Sequence, residues 1–205
     1  TATAMITTPI HATSLQIPVS AGSGATKSLS VHLDVDFGTY TLSGPSPTTS
    51  HGPSENPVVK ARGVKLTHSK PAASPSAQSL LIGPTLRVRP GDKLNILFKN
   101  NLSYEASAGD GGHSTTNPHG FDVINLHTHG LHVSPQSPSD NVLLNIFPKS
   151  TPKEPLKACY AEFGKANCVT EKFAYAYKIP ANHPSGTYWY HAHKHGAVAM
   201  HLANG

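Results

Sequence analysis

The strongest constraint on the fold is a strict alternation of apolar and polar residues over positions 29–37. The apolar residues all occupy odd positions: Leu29, Val31, Leu33, Val35 and Phe37. Polar or charged residues fill every even position between them. Because successive side chains of a strand point to opposite faces, this pattern predicts a half-buried β-strand.

Weaker alternations follow along the chain and predict further strands near residues 58–66, 121–129, 142–147, 173–179 and 186–193. Residues 86–89 and 94–98 are predicted to pair as a hairpin across the turn at residues 90–92 (PGD). Charged residues make up only 13% of the chain, about half the usual share of roughly 25%. Gly and Pro number 17 and 18 of 205 residues, which also disfavours an all-α fold. We therefore predict an all-β, Greek-key β-sandwich with almost no helix, residues 197–202 being the best helical candidate.

The chain is predicted to divide into an N-terminal arm at residues 1–28 and one domain at residues 29–205. Loops rich in Pro, Ser, Gly or His are expected at residues 43–57, 69–84 and 103–120. Residues 148–170 form a Lys- and Pro-rich excursion that carries both cysteines. The start of the chain has no charged and apolar leader pattern, so we expect that any signal peptide has been removed.

Charge and hydropathy exclude two classes of partner. The formal net charge is +5, but the 16 Lys and Arg residues are scattered and do not form a basic run with aromatic residues between them. We therefore expect no nucleic-acid partner. No segment approaches the roughly 18 consecutive apolar residues of a membrane span, so we expect no membrane partner either.

The two cysteines, Cys159 and Cys168, lie nine positions apart and do not fit the Cys and His spacing of a zinc finger. They are either a disulfide or two unpaired thiols. A disulfide would imply an oxidising compartment.

The most unusual feature is the 14 histidines, several of which occur as His-x-His pairs. His127 and His129 form one pair, and His191, His193 and His195 form two overlapping ones. On a strand each pair presents two imidazoles on one face. Imidazole sets suit copper or zinc. The alternative is a set of surface histidines in a His-rich chain.

The residues around these pairs resemble those of a known family. The stretches GPTLRVRPGD at residues 83–92, NNL at 100–102, NLHTHGLH at 125–132 and HPSGTYWYHAH at 183–193 are similar to the first cupredoxin domain of laccase-like multicopper oxidases. The resemblance covers the chain from about residue 83 onward and is loose before residue 80. It implies a cupredoxin-like sandwich, with the last strand of the domain missing from this chain.

The resemblance also implies a set of site residues. His127 would bind a type 2 copper, and His129, His191 and His193 would bind a type 3 copper pair. Asp140 would be the carboxylate that relays protons to bound oxygen; the alternative is an ordinary turn residue. His132 and His195 are expected to pack or hydrogen-bond beside the ligands rather than bind metal. His119 is expected to be solvated, and Trp189 to fill the core.

In the family such a domain contributes half of the trinuclear copper cluster that reduces dioxygen to water. A type 1 copper site, with a Cys flanked by histidines, has no counterpart in this sequence. The chain thus resembles the N-terminal third of such an oxidase. We expect this chain to be inactive on its own. The remaining cupredoxin domains, or another copy of the chain, would supply the other ligands, and a reducing substrate such as a phenol would deliver electrons.

The residues are also compatible with two other functions. One is a non-catalytic module that binds or carries copper. The other is a zinc hydrolase with Asp140 as general base. Secretion, or export to a periplasm, is the expected localisation.

Overall fold

The computed structural model describes residues 27–41, 58–70, 83–105 and 119–204. These residues form eight strands and two α-helices: β1 (Ser28–Thr41), β2 (Val58–Lys70), β3 (Lys93–Asn100), β4 (His127–His129), β5 (Asn145–Phe147), α1 (Lys153–Phe163), β6 (Cys168–Thr170), β7 (Lys172–Lys178), β8 (Trp189–His191) and α2 (Val198–Asn204). The predicted arm and the predicted loops at 43–57, 69–84 and 103–120 lie wholly or largely outside these ranges. The described residues contain no helix long and apolar enough to cross a membrane.

Four strands form one mixed sheet in the order β2-β1-β3-β7. β1 pairs antiparallel with β2 and parallel with β3, and β3 pairs antiparallel with β7. The inner face of β1 carries the buried residues Leu29, Val31, Leu33 and Val35. The predicted strands in these four regions are confirmed.

The opposite layer consists of two small ladders, β4–β8 and β5–β6. Apolar residues from its loops and strands share one core with the inner face of the large sheet; they are Ile124, Leu126, Leu144 and Ile146. The predicted all-β sandwich is thus confirmed. The strands β4, β5 and β8 have only three residues each, shorter than their sequence patterns predict.

The predicted hairpin is wrong, because residues 83–89 form no strand. Both edges of β3 are already occupied by β1 and β7, so no edge is left for residues 86–89. The segment packs against β8 instead, where the Tyr190 hydroxyl donates a hydrogen bond of 2.7 Å to the Pro84 carbonyl. A Cβ at Gly83 would overlap that hydroxyl, which explains a glycine at this position of the motif.

The expectation of almost no helix is also wrong. The excursion at residues 148–170 contains α1, whose proline, Pro155, lies in the first turn, where a backbone N–H has no partner within the helix. A disulfide joins Cys159 of α1 to Cys168 of β6, with Cα atoms 6.1 Å apart. Both cysteines pack with Val123 and Phe147 in a second apolar cluster. The second helix, α2, is the one the sequence predicts near residues 197–202.

Removing the disulfide is expected to destabilise the fold. The chain-entropy model assigns roughly 2–3 kcal/mol to a bridge that closes a loop this short. The double variant Cys159→Ser/Cys168→Ser should therefore unfold at a lower urea concentration than the oxidised chain. Wild type held under reducing conditions is the control and should match the variant. Equal midpoints for all three samples would contradict the prediction.

Candidate metal centre

The two histidine motifs meet across the β4–β8 ladder. His127 lies opposite His191, and His129 lies opposite Trp189. Gly130 then ends β4 with a φ of 89°, a conformation that glycine adopts readily. Antiparallel pairing of two His-x-His segments thus brings imidazoles from distant parts of the chain to one face.

Four imidazoles cluster at this ladder. The ring centre of His127 lies 5.6 Å from that of His129, 5.3 Å from that of His191 and 5.1 Å from that of His193. One potential ligand nitrogen from each of His127, His129 and His191 lies within 4.8 Å of the other two. His193 adjoins this group, with its ring centre 5.9 Å from that of His191. The structure therefore brings all four predicted ligands together, three of them in the tighter group.

Hydrogen bonds leave one nitrogen free on two of these rings. Nδ1 of His127 lies 2.7 Å from the Asp140 carboxylate, and Nδ1 of His191 lies 2.8 Å from the Ala192 carbonyl. Both partners are acceptors, so each Nδ1 carries a proton, and in the neutral form of each ring Nε2 is the nitrogen with the free lone pair. Nε2 of His191 is buried and has no hydrogen-bond partner within the part of the chain that the structure describes. A buried nitrogen acceptor without a partner is costly unless a ligand satisfies it.

The surroundings of His191 favour its neutral form. Partial burial lowers the pKa of its imidazole, and the neighbouring rings of His127, His193 and His129 lower it further when they are charged. Because a metal binds the deprotonated imidazole, this shift favours metal binding over proton binding.

Asp140 is buried and belongs to the same network. Its Oδ1 accepts hydrogen bonds from the backbone N–H and the hydroxyl of Thr128, at 2.7 and 3.1 Å, while its Oδ2 faces His127. A carboxylate that holds the far nitrogen of a ligand histidine sets the orientation and tautomer of that ring. The structure thus places Asp140 beside the cluster; its role in proton relay stays a prediction.

Asn125 is a site residue that the sequence reasoning missed. It is fully buried, and its amide donates to the carbonyls of Val142 and Leu144 at 2.9 and 3.0 Å. Its carbonyl oxygen accepts the backbone N–H of His193 at 2.6 Å. Asn125 therefore attaches the second histidine motif to the core. The only signal for it was its position two residues before His127 in the resembling motif.

The expectation that Trp189 fills the core is wrong. Its side chain is 49% exposed and stacks on two imidazoles, with ring centres 5.1 Å from His129 and 4.2 Å from His191. Trp189 and His191 lie two residues apart on β8, so they share the face that carries the cluster.

The other histidines that lie near these motifs in the sequence contact one another in pairs. The backbone N–H of His132 donates to Nε2 of the buried His183 at 3.0 Å, and their ring centres lie 4.9 Å apart. His195 packs on His119, with ring centres 5.7 Å apart. The expected packing of His132 and His195 is consistent with these contacts. His119 is half-buried against Gly196 and not simply solvated, which corrects that expectation.

The sequence matches no protein-family model and no curated protein. The function of this centre is therefore inferred from its own residues. Three converging imidazoles, one of which has a buried Nε2 with no hydrogen-bond partner among the described residues, fit a transition-metal ion.

Proposed function

We propose that this chain binds copper through His127, His129, His191 and His193. We further propose that it contributes half of the trinuclear copper cluster of a laccase-like multicopper oxidase. The observation that carries the proposal is the group of three imidazole nitrogens within 4.8 Å of one another at the β4–β8 ladder. The motifs at residues 83–92, 125–132 and 183–193, which resemble the first domain of those oxidases, support it.

Copper is the metal that these donors favour. The group consists of imidazoles alone, and among the described residues no thiolate adjoins it, because both cysteines are in the disulfide. Neutral imidazole binds copper, zinc and nickel, and copper(II) generally binds most tightly in this series. Copper held by these residues in a complete cluster would supply the redox chemistry that reduces dioxygen to two waters, with four electrons from the reducing substrate and four protons.

The residues of the chain would prepare that site in advance. Asp140 holds His127 with its Nε2 available, and the Ala192 carbonyl does the same for His191. Asn125 attaches the segment after β8 that carries His193. His129 and His193 are exposed, so the remaining cupredoxin domains or another copy could complete the shell from the solvent side. Asp140, within hydrogen-bond distance of His127, is the residue that we assign to proton relay.

A non-catalytic copper carrier is the second candidate, and the solvent exposure of His129 and His193 favours it. An exposed half-shell can also load and release an ion without a further domain. Mass spectrometry of the protein from its native source separates the two functions. A longer polypeptide, or a copurifying partner with a His-Cys-His segment, supports the oxidase, whereas a short chain that copurifies with copper alone supports the carrier.

We also propose secretion or export to a periplasm. The disulfide between Cys159 and Cys168 supports it, since disulfides persist mainly in oxidising compartments.

The isolated chain is expected to oxidise phenols little or not at all. A blue type 1 copper site needs a Cys thiolate with two histidines, and the only two cysteines of the chain are bonded to each other. The measurement is oxygen consumption with a phenol by the copper-loaded 205-residue chain, verified free of longer polypeptide. The visible spectrum should lack the intense copper–thiolate band. Sustained turnover would contradict the half-site proposal and require a complete cluster assembled between copies.

A further inference from the structure

A second pair of imidazoles lies on the outer face of the four-stranded sheet. His32 of β1 and His68 of β2 are direct partners in the antiparallel ladder, and their ring centres lie 4.7 Å apart. Their neighbours Val31 and Leu33 point the other way, into the core. The pair therefore faces solvent, with His68 exposed and His32 half-buried.

A β-bulge holds this pair in place. The register passes from His32 opposite His68 to Leu33 opposite Leu66, so Thr67 is the extra residue. The Thr67 hydroxyl donates to the Asp34 carboxylate at 3.0 Å. The bulge is thus tied to the strand that carries His32, and the cross-strand pairing of the two histidines is maintained.

The spacing of the rings suits one shared metal ion. Two nitrogens that each lie about 2.0–2.1 Å from a metal are roughly 3.3 Å apart in a tetrahedral complex. Each ring nitrogen lies near the edge of its ring, so imidazoles with ring centres 4.7 Å apart reach this spacing by small side-chain rotations. Cross-strand partners need no backbone movement to do so.

Asp34, two residues after His32 on the same face of β1, is already engaged. Asp34 accepts hydrogen bonds from Thr67 and from the Asn101 amide, at 3.0 Å each. Among the described residues the one three-ligand group is that of His127, His129 and His191. The pair on the outer face would thus supply two ligands, and water would supply the rest.

We propose that His32 and His68 form a second, surface metal site that binds one divalent transition-metal ion, copper(II) more tightly than zinc(II). The site lies on the four-stranded sheet, whereas the cluster lies on the β4–β8 ladder, so the two bind metal independently. Because the ion bridges β1 and β2, its binding stabilises the folded chain in proportion to the logarithm of metal concentration above the Kd.

The test combines two readouts on the full chain titrated with copper(II) chloride. Isothermal titration calorimetry reports all bound copper. Quenching of Trp189, the only tryptophan, reports the cluster, because its ring stacks on His129 and His191. His68→Gln and His32→Gln should each remove one equivalent of bound copper and leave the quenching unchanged. The matched control His195→Gln, which changes another exposed histidine, should keep the full stoichiometry.

The outcomes separate this proposal from the proposed function. If copper(II) does not quench Trp189 in wild type but the equivalent that depends on His32 and His68 still binds, the cluster is contradicted and the surface pair is supported. Unchanged stoichiometry in both Gln variants, or an equal loss in His195→Gln, would overturn the surface site. Thermal unfolding in a chelator verifies that each variant folds. The rise in melting temperature on adding zinc(II) should then be smaller in His68→Gln than in His195→Gln, and an equal rise would also overturn it.

Discussion

Replacing His129 and His191 together with alanine is expected to weaken copper binding at the β4–β8 ladder and lower its stoichiometry. The double variant removes two of the three nitrogens that lie within 4.8 Å of one another. His127 and His193 remain, with ring centres 5.1 Å apart, so at most one two-imidazole site is left. Copper(II) should therefore quench Trp189 less, because the two imidazoles on which its ring stacks are gone, and the calorimetric stoichiometry should fall.

The matched control for this double variant is His195→Ala. His195 is exposed and lies two positions after His193, but its ring packs on His119. In this control variant, copper(II) should quench Trp189 and bind with the same stoichiometry as in wild type. Equal copper binding by the double variant and wild type would remove His129 and His191 from the metal site.

Replacing Asp140 with asparagine is expected to weaken copper binding by about 10- to 100-fold, the usual effect of removing a carboxylate that orients a ligand histidine. The carboxylate accepts from His127, from the Thr128 N–H and from the Thr128 hydroxyl. An asparagine amide has one acceptor oxygen and one donor nitrogen, so it cannot accept on both sides. It either leaves the Thr128 N–H unpaired or reverses the tautomer of His127, which then has no free Nε2.

Asp92→Asn serves as the control for Asp140→Asn. Asp92 is also buried and also accepts backbone N–H groups, those of Arg89 and Lys27 at 3.0 and 3.1 Å, but it lies at the turn before β3. Its loss should lower the melting temperature and leave the copper Kd unchanged. The Kd values come from competition with a chelator of known affinity. If both variants shift the Kd equally, Asp140 acts only through stability.

Much of the fold was predictable from the sequence because long strands repeat one local rule. A half-buried strand must alternate apolar and polar residues, so β1 and β7 are visible in the residues themselves. The strands β4, β5 and β8 were harder to delimit. With three residues each, they are too short for a period of two to define their ends.

The errors arose where the partner of a segment decided its structure. Residues 86–89 alternate like a strand, but β1 and β7 occupy both edges of β3. The helix α1 was hidden by Pro152 and Pro155, which are tolerated because they lie at its N-cap and in its first turn. Trp189 looked like core because it is large and apolar, yet it lies on the cluster face of a two-stranded ladder.

For the site, the sequence by itself determined the ligand types and their pairing in twos, because His-x-His on a strand places both rings on one face. It could not determine which pairs meet. That depended on the antiparallel register of β4 and β8, which sets His127 opposite His191, and on Asp140 and Asn125, whose hydrogen bonds orient the rings and attach the strands. The same holds for His32 and His68, which are 36 positions apart in sequence and became neighbours only through the register of β1 and β2. Metal coordination requires distances between side chains, and those distances are set by tertiary pairing.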